Sequence, residues 1–387
     1  MHTTSARADE RIEFANTLRG IAALLVLISH YFGVFWLNNP VASELAGAPA
    51  ISALQVPGFI RRMDISPLNW GAIGVSLFFL ISGFVIPFSF DRYAVRGFLV
   101  GRVLRIYPTY FVGFAVSIVS LVSATQYFGV PFPYALKQVL LHIPGLRELV
   151  GPPSIDGIVW TLEVEIKFYL ICALIAPWLR RGSLLVFLVP AAIFAIALAT
   201  VPILSHLLPS TRLYGMVVAV MVTGQYIVYM FIGVALHFAF RRVHGEMLMA
   251  TIAASLFFAM TFLWTYGVTP NVTGFAWSYG FSCIVFVASM ILAHHFQRNM
   301  VTGFLADISY PLYVSHPVLG YAMLRISVGE GLPPWICVTV TTAAAIALAY
   351  AIHVLVERPS QLIGRKLASA SSQSRPERSV RIEAHAS

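Results

Sequence analysis

Apolar residues gather along the chain into ten runs, separated by short stretches that hold most of the charged residues. Approximate limits are 19–37, 70–90, 107–125, 158–178, 183–202, 216–239, 248–267, 275–295, 304–325 and 334–355. Each run is long enough to cross about 30 Å of hydrocarbon as a helix. A helix is also the form in which a lone segment satisfies its backbone hydrogen bonds without water. The pattern predicts an all-α fold, a polytopic transmembrane helix bundle of about ten spans. The first run is too long for a cleaved signal, and no small-residue cleavage site follows it.

Composition agrees. Of 387 residues, 58% are hydrophobic and 11% charged, against about 25% charged in a soluble domain. Sixteen acids and 25 bases cannot cover the exterior of a soluble protein of this size. This excludes a disordered chain, a nucleic-acid domain and a plain cytosolic enzyme. The net charge of +9 reads as topology, because no basic stretch carries interleaved aromatics. Eighteen Lys and Arg fall in the N-tail, the loops after even-numbered runs and the C-tail; six, Arg61, Arg62, Lys137, Arg147, Arg212 and Arg325, fall opposite. Lys and Arg are retained on the cytoplasmic side, so both termini are expected there. The expected organisation is an N-terminal tail over 1–16, a membrane domain over 17–366 and a Ser/Arg-rich, disordered cytoplasmic tail over 367–387. Cys172, Cys283 and Cys337 each sit inside an apolar run without CxxC or metal-ligand spacing. They read as core thiols, and no metal site is expected.

The chemistry lies in polar residues within the runs, where a charge costs about 2.5–3.5 kcal/mol on insertion scales. Arg19 and His30 are eleven residues apart, about three helical turns, so they share one helix face with a rise of about 16.5 Å. Imidazole is the side chain best suited to moving a proton near neutral pH. Taken alone, the pair reads equally as a structural histidine and a positive-inside arginine.

In Trp160-Thr-Leu-Glu-Val-Glu-Ile-Lys-Phe-Tyr169, Glu163 and Glu165 point to opposite faces. Glu163 and Lys167 are four apart and are expected to pair. Glu165 is then an intramembrane acid without a local partner. It can orient or charge-stabilise His30, or make a structural hydrogen bond to another helix. Arg92, Arg96, Arg102 and Arg105 fall within fourteen residues, with Arg102 and Arg105 on one face. Guanidinium binds phosphate bidentately, and lipid headgroups would serve as the anions equally well. Ser82, in Gly74-Val-Ser-Leu-Phe-Phe-Leu-Ile-Ser-Gly-Phe84, has no base in local register. Tyr313 and His316 lie one turn apart. His294 and His295 adjoin one another without metal spacing, and Asn271-Val-Thr273 is a formal glycosylation sequon.

These segments together resemble the acyltransferase-3 family of integral membrane O-acyltransferases, in family order from about Arg11 to Arg365. They are Leu18-Arg-Gly with His30, the Ser82-Gly-Phe84 segment, Arg102-Val-Leu-Arg-Ile-Tyr-Pro108, the Trp160–Tyr169 segment, Ser309-Tyr-Pro-Leu-Tyr313 with His316, and Glu357-Arg-Pro359. The resemblance implies transfer of an acyl group, usually acetyl, from cytoplasmic acyl-CoA as donor substrate to a hydroxyl of a glycan, lipid or other metabolite. It assigns catalysis to His30 with Arg19 and Glu165, and the acyl-CoA side to Arg102, Arg105 and Ser82. Glu163 departs from the family pattern, which has a small residue there. Some members carry a fused hydrolase-like domain for which this chain has no room, so such a partner would be a separate periplasmic protein.

Two functions from different classes suit ten spans with buried charges. One is an O-acyltransferase of the bacterial inner membrane, with membrane lipids around it and a glycan or lipid-linked glycan as acceptor. Acceptor candidates are lipopolysaccharide O-antigen, exopolysaccharide, peptidoglycan, a Nod-type oligosaccharide and a macrolide. The other is a transporter or flippase without acyl transfer. The Arg19–His30 spacing with the arginine-lined mouth favours the enzyme.

Overall fold

The computed structural model describes residues 12–150, 154–204, 212–266 and 274–373. The sequon at Asn271, residues 1–11 of the N-terminal tail and residues 374–387 of the C-terminal tail lie outside them. Most of the described residues are helical, and none forms a strand. The principal helices are α1 (Glu13–Leu37), α2 (Trp70–Arg92), α3 (Val95–Phe128), α4 (Val159–Leu174) and α5 (Leu188–Leu204). They continue with α6 (Arg212–Phe240), α7 (Glu246–Tyr266), α8 (Ala276–Ile291), α9 (Met300–Gly329) and α10 (Pro334–Ile352). A π turn, His353–Glu357, joins α10 to α11 (Arg358–Gln373).

Each predicted run overlaps one of α1–α10. Among the described residues, seven stretches are long and apolar enough to cross a membrane: 13–37, 70–92, 95–128, 184–202, 217–240, 246–266 and 334–369. The other three helices depart for local reasons. Helix α8 is apolar but has 16 residues. Helix α4 carries Glu163, Glu165 and Lys167, and α9 is interrupted by Asp307, Ser309, Ser315 and His316.

Caps define several ends. The Asn69 side chain accepts from the Ala72 N–H at the start of α2, and Asn299 caps α9 through the Thr302 N–H. Helix α9 is central: it packs on α1, α3 and α10. Helix α2 packs on α1, α6 and α8. The α2–α6 crossing runs through Gly83 and Gly233. A Cβ on Gly233 would come within 2.8 Å of the Gly83 Cα and the Phe84 nitrogen. Only glycine lets two backbones approach so closely. Phe14, Phe84 and Phe286 then meet edge to face, with centroids 5.5 Å apart.

Helix α11 runs to Gln373, past residue 367, where the tail is expected to begin. Its small residues Ser360, Gly364 and Ala368 recur every fourth position and are buried. Helix α11 packs on α3, and Gly364 faces Leu104 and Gly101 there. Cys172 and Cys337 are buried and Cys283 partly so, all as free thiols.

Candidate active site

Helices α1, α2, α3, α4 and α9 form a narrow cleft lined by Arg19, Ser82, Arg105, Glu165, Tyr310 and Tyr313 among others. Glu165 anchors it. Its Oε1 accepts from Ser82 Oγ at 2.8 Å and from the Tyr169 hydroxyl one turn along its own helix. Tyr169 in turn carries the Arg102 guanidinium over its ring at 5.2 Å. Arg102 also stacks on Phe98 at 5.2 Å and donates from Nη2 to Ser89 Oγ at 2.8 Å. Arg102 is therefore fixed beside the cleft, whereas Arg105, one turn on, lines it.

Arg19, Arg102 and Arg105 lie within electrostatic reach of one another and of Glu165. Glu357 also lies within electrostatic reach of Arg105 and Arg19. It accepts from Gln361 Nε2 at 2.9 Å, and its Oε2 lies 2.7 Å from His353 Nδ1. Three guanidinium groups face two carboxylates in a region of low dielectric. Such crowded cations repel one another, so the arrangement is complementary to an added anion.

His30 lies beyond this cluster, on a π turn over Ser29–Val34. Insertions of this kind are common where a side chain must be re-aimed at a functional site. Its Nδ1 is 2.6 Å from the Tyr321 hydroxyl, and its ring meets that of His316 edge to face at 4.9 Å. Tyr313 links the two regions. It lines the cleft, its hydroxyl lies 2.6 Å from Thr161 Oγ1, and its ring is 6.2 Å from that of His316. The series therefore runs from Glu165 and Arg19 through Tyr313 and His316 to His30.

Arg19, Ser82, Arg105 and Glu165 come together in one cleft. One expectation is corrected. Glu163 does not pair with Lys167: it binds Arg147, Nε to Oε1 at 2.9 Å, while Lys167 pairs with Glu148. The short helix Arg147–Val150 brings an opposite charge to each, displacing the i,i+4 pair. Glu165 makes no hydrogen bond to His30 among the described residues: its Oε1 accepts from Ser82 on another helix and from Tyr169 on its own. The ring nitrogen of His30 meets Tyr321 instead, a partner 291 residues away. No local signal marks Tyr321. Tyr169 is four residues from Glu165 and was accessible to helical spacing.

The family model for the acyltransferase domain Acyl_transf_3 matches residues 12–354. The chain belongs to the acyltransferase-3 family. It is thus a membrane acyltransferase, and the match takes in every residue of the cleft and both histidines. Nodulation protein 10 of Rhizobium leguminosarum bv. viciae is 25% identical over 385 residues, which cover 91% of this chain and 95% of that protein. No solved structure matches.

Proposed function

We propose that this acyltransferase takes an acyl group, in the simplest case acetyl, from a cytoplasmic acyl-CoA and passes it to a hydroxyl. The acceptor class is a glycan, an exopolysaccharide, a lipid-linked sugar or a related metabolite. The observation that carries this reading is the arrangement of the cleft. A surplus of guanidinium groups lies at one end, an imidazole lies beyond it, and Tyr313 joins the two. The arginines suit the phosphates of a CoA donor, because each can form charge-assisted, paired hydrogen bonds. His30 suits proton transfer. As general base it would take the proton of the acceptor hydroxyl as the oxygen attacks the thioester carbonyl. Arg19 and Arg105 present donors to the negative charge that develops on the carbonyl oxygen. Glu165 holds Ser82 and Tyr169 in place.

The same reading puts the protein in a bacterial inner membrane with both termini cytoplasmic. The long connection over 38–69 then faces the periplasm and the acceptor. The similarity to a nodulation protein makes a Nod-type oligosaccharide one acceptor to try first.

Purified protein in detergent, given acetyl-CoA and acceptor glycan, should release free thiol and yield an ester-linked acetyl group. Absence of thiol release across a panel of acyl-CoA donors, by folded protein, would overturn the reading. Reporter fusions after Arg181 and Arg242 should read cytoplasmic, and a fusion within 38–69 periplasmic. A cytoplasmic signal from 38–69 would put His30 in the wrong half of the bilayer.

A further inference from the structure

His316 is fully buried on α9, and its two ring nitrogens are in different circumstances. Nδ1 lies 2.9 Å from the Leu312 carbonyl oxygen and 3.0 Å from that of Tyr313. Carbonyl oxygens only accept, so Nδ1 carries the hydrogen and Nε2 carries a lone pair. The sequence explains why this holds. Pro317 follows His316 and has no N–H, so the Tyr313 carbonyl, four residues back, loses its helical donor. The His316 side chain takes up that vacancy. Its tautomer is therefore set by the His-Pro step itself.

Nε2 is left buried without a hydrogen-bond partner among the described residues. A bare buried acceptor is costly unless some state of the molecule supplies a donor. The ring beside it is His30, edge to face at 4.9 Å. The other titratable groups around the pair do not meet the need. The Tyr31 hydroxyl donates to the His316 backbone carbonyl at 2.7 Å, and Tyr313 is bonded to Thr161. Tyr321 is bonded to His30 Nδ1. On the neighbouring elements, Tyr110 of α3 donates to Asp156, Cys337 of α10 to the Leu332 carbonyl, and Glu44 of the short helix Asn39–Leu45 is exposed. Helix α2 presents Phe78 to Tyr313. No carboxylate or guanidinium bonds to either imidazole among the described residues.

We propose that His316 is the positioning partner of His30, its Nε2 accepting a ring N–H of His30 once His30 has gained a proton. This rests on the reading of His30 as the general base. In that reaction the acceptor O–H bond breaks and its proton goes to His30. The O–C bond to the acyl carbon forms, and the C–S bond of the thioester breaks. The imidazolium then holds two N–H groups, and Tyr321 Oη and His316 Nε2 accept one each. The proton passes finally to the thiolate sulfur, giving free CoA, and His30 is restored.

Two substitutions separate this role from packing. His316→Asn places an amide donor where Nδ1 was, keeping the bonds to the α9 carbonyls, and removes only the Nε2 lone pair. His316→Gln places a polar atom near Nε2 and is the conservative variant. Turnover of acetyl-CoA with acceptor is measured on equal amounts of folded protein. H316N should lose about 10–100-fold in kcat, as expected for one hydrogen bond to a charged group, with KM for acetyl-CoA unchanged. H316Q, whose amide oxygen can still accept, should recover part of that loss. Full activity in folded H316N overturns the proposal, because a merely structural histidine needs only the Nδ1 bonds. The reading beneath it is tested separately: wild type must transfer and His30→Gln must not. If neither His316 variant inserts, the unaltered protein decides. [15N]histidine spectra recorded in acid should show scalar coupling between the ring nitrogens of two histidines, and that coupling should vanish in H30Q. Absence of the coupling overturns the proposal.

Discussion

Ser82 on α2 and Glu165 on α4 lie 83 residues apart in sequence, and their side chains are joined at 2.8 Å. The contact gives the serine a carboxylate neighbour that its own helix lacks. It also ties together two helices of the cleft that Arg19 and Arg105 line. Two roles follow from such a pair, and substitutions distinguish them. If Glu165 only holds the donors in place, Ser82→Ala should lower kcat about tenfold, in line with one lost hydrogen bond to a charged group. Glu165→Gln should do likewise. If Ser82 instead carries the acyl group, S82A should abolish transfer, and mass spectrometry of wild type after acetyl-CoA alone should show an acetylated serine.

His30 is the residue on which transfer is expected to depend most. Removing a general base costs about 10²–10⁴-fold in rate, so His30→Ala and His30→Gln should both be nearly inactive at normal yield. An amide can hydrogen-bond to Tyr321 but cannot take a proton in this range. Wild-type turnover by H30Q would remove the catalytic assignment. Acetyl transfer per mole of folded protein is the measurement.

Arg102 and Arg105 should separate on mutation, because they sit differently. Arg105 lines the cleft, so Arg105→Ala is expected to raise KM for acetyl-CoA about tenfold or more, the scale of one charge-assisted phosphate contact. Arg102 stacks on Phe98 and Tyr169, so Arg102→Ala should also lower the thermal midpoint. Lysine at either site should rescue only in part, since it lacks the planar fork. Unchanged donor kinetics in the inserted double variant would point to lipid headgroups as the anions.

A fourth group bears on stability rather than transfer. His142 lies in the connection between α3 and α4, outside the spans, buried and stacked on Phe114 at 4.5 Å. Its Nε2 accepts from the Ile155 N–H at 3.0 Å. Nδ1 therefore carries the hydrogen and donates to Tyr110 Oη, 2.9 Å away, and Tyr110 donates to Asp156. Burial holds the imidazole below its ordinary value of 6.5, with Asp156 opposing and Arg147 adding. A proton on Nε2 would also meet the Ile155 N–H head-on. The unfolded chain thus takes up the proton first as pH falls. The stabilisation is present above about 6.5 and is lost in acid, at no more than about 1.4 kcal/mol per pH unit. Thermal midpoints in detergent between pH 7.5 and 5.5 should fall, and His142→Gln should flatten that dependence.

What the sequence made legible follows the range of the interaction. Helix positions are local, and each of the ten apolar runs overlaps a helix. The opposed faces of Glu163 and Glu165 follow from two residues of helical rotation, and the gathering of arginines from spacing within one segment. The partners are a different matter. Tyr321 meets His30 only because α9 lies against α1, a fact of packing that no spacing encodes. The Arg147–Glu163 pair depends on the path of an irregular connection. The end of helix α11 is less legible: residues 367–373 read as tail by composition, yet Ala368 continues the small-residue stripe of Ser360 and Gly364 along the helix that packs on α3. The His316 tautomer is an intermediate case, since Pro317 announces a freed carbonyl, but only the structure shows which group fills it.

The distance between His30 and Tyr321 along the chain, 291 residues, has a consequence for biogenesis. The ribosome delivers α1 to the membrane long before α9 exists. Through most of synthesis, therefore, His30 has neither ring beside it, and Arg19 waits for the cleft to close. A nascent chain released before Met300 holds the donor-side arginines and the base, but not the helix that orients them. The site is assembled late in insertion, and quality control acting on unfinished chains would meet an α1 whose polar face is still open.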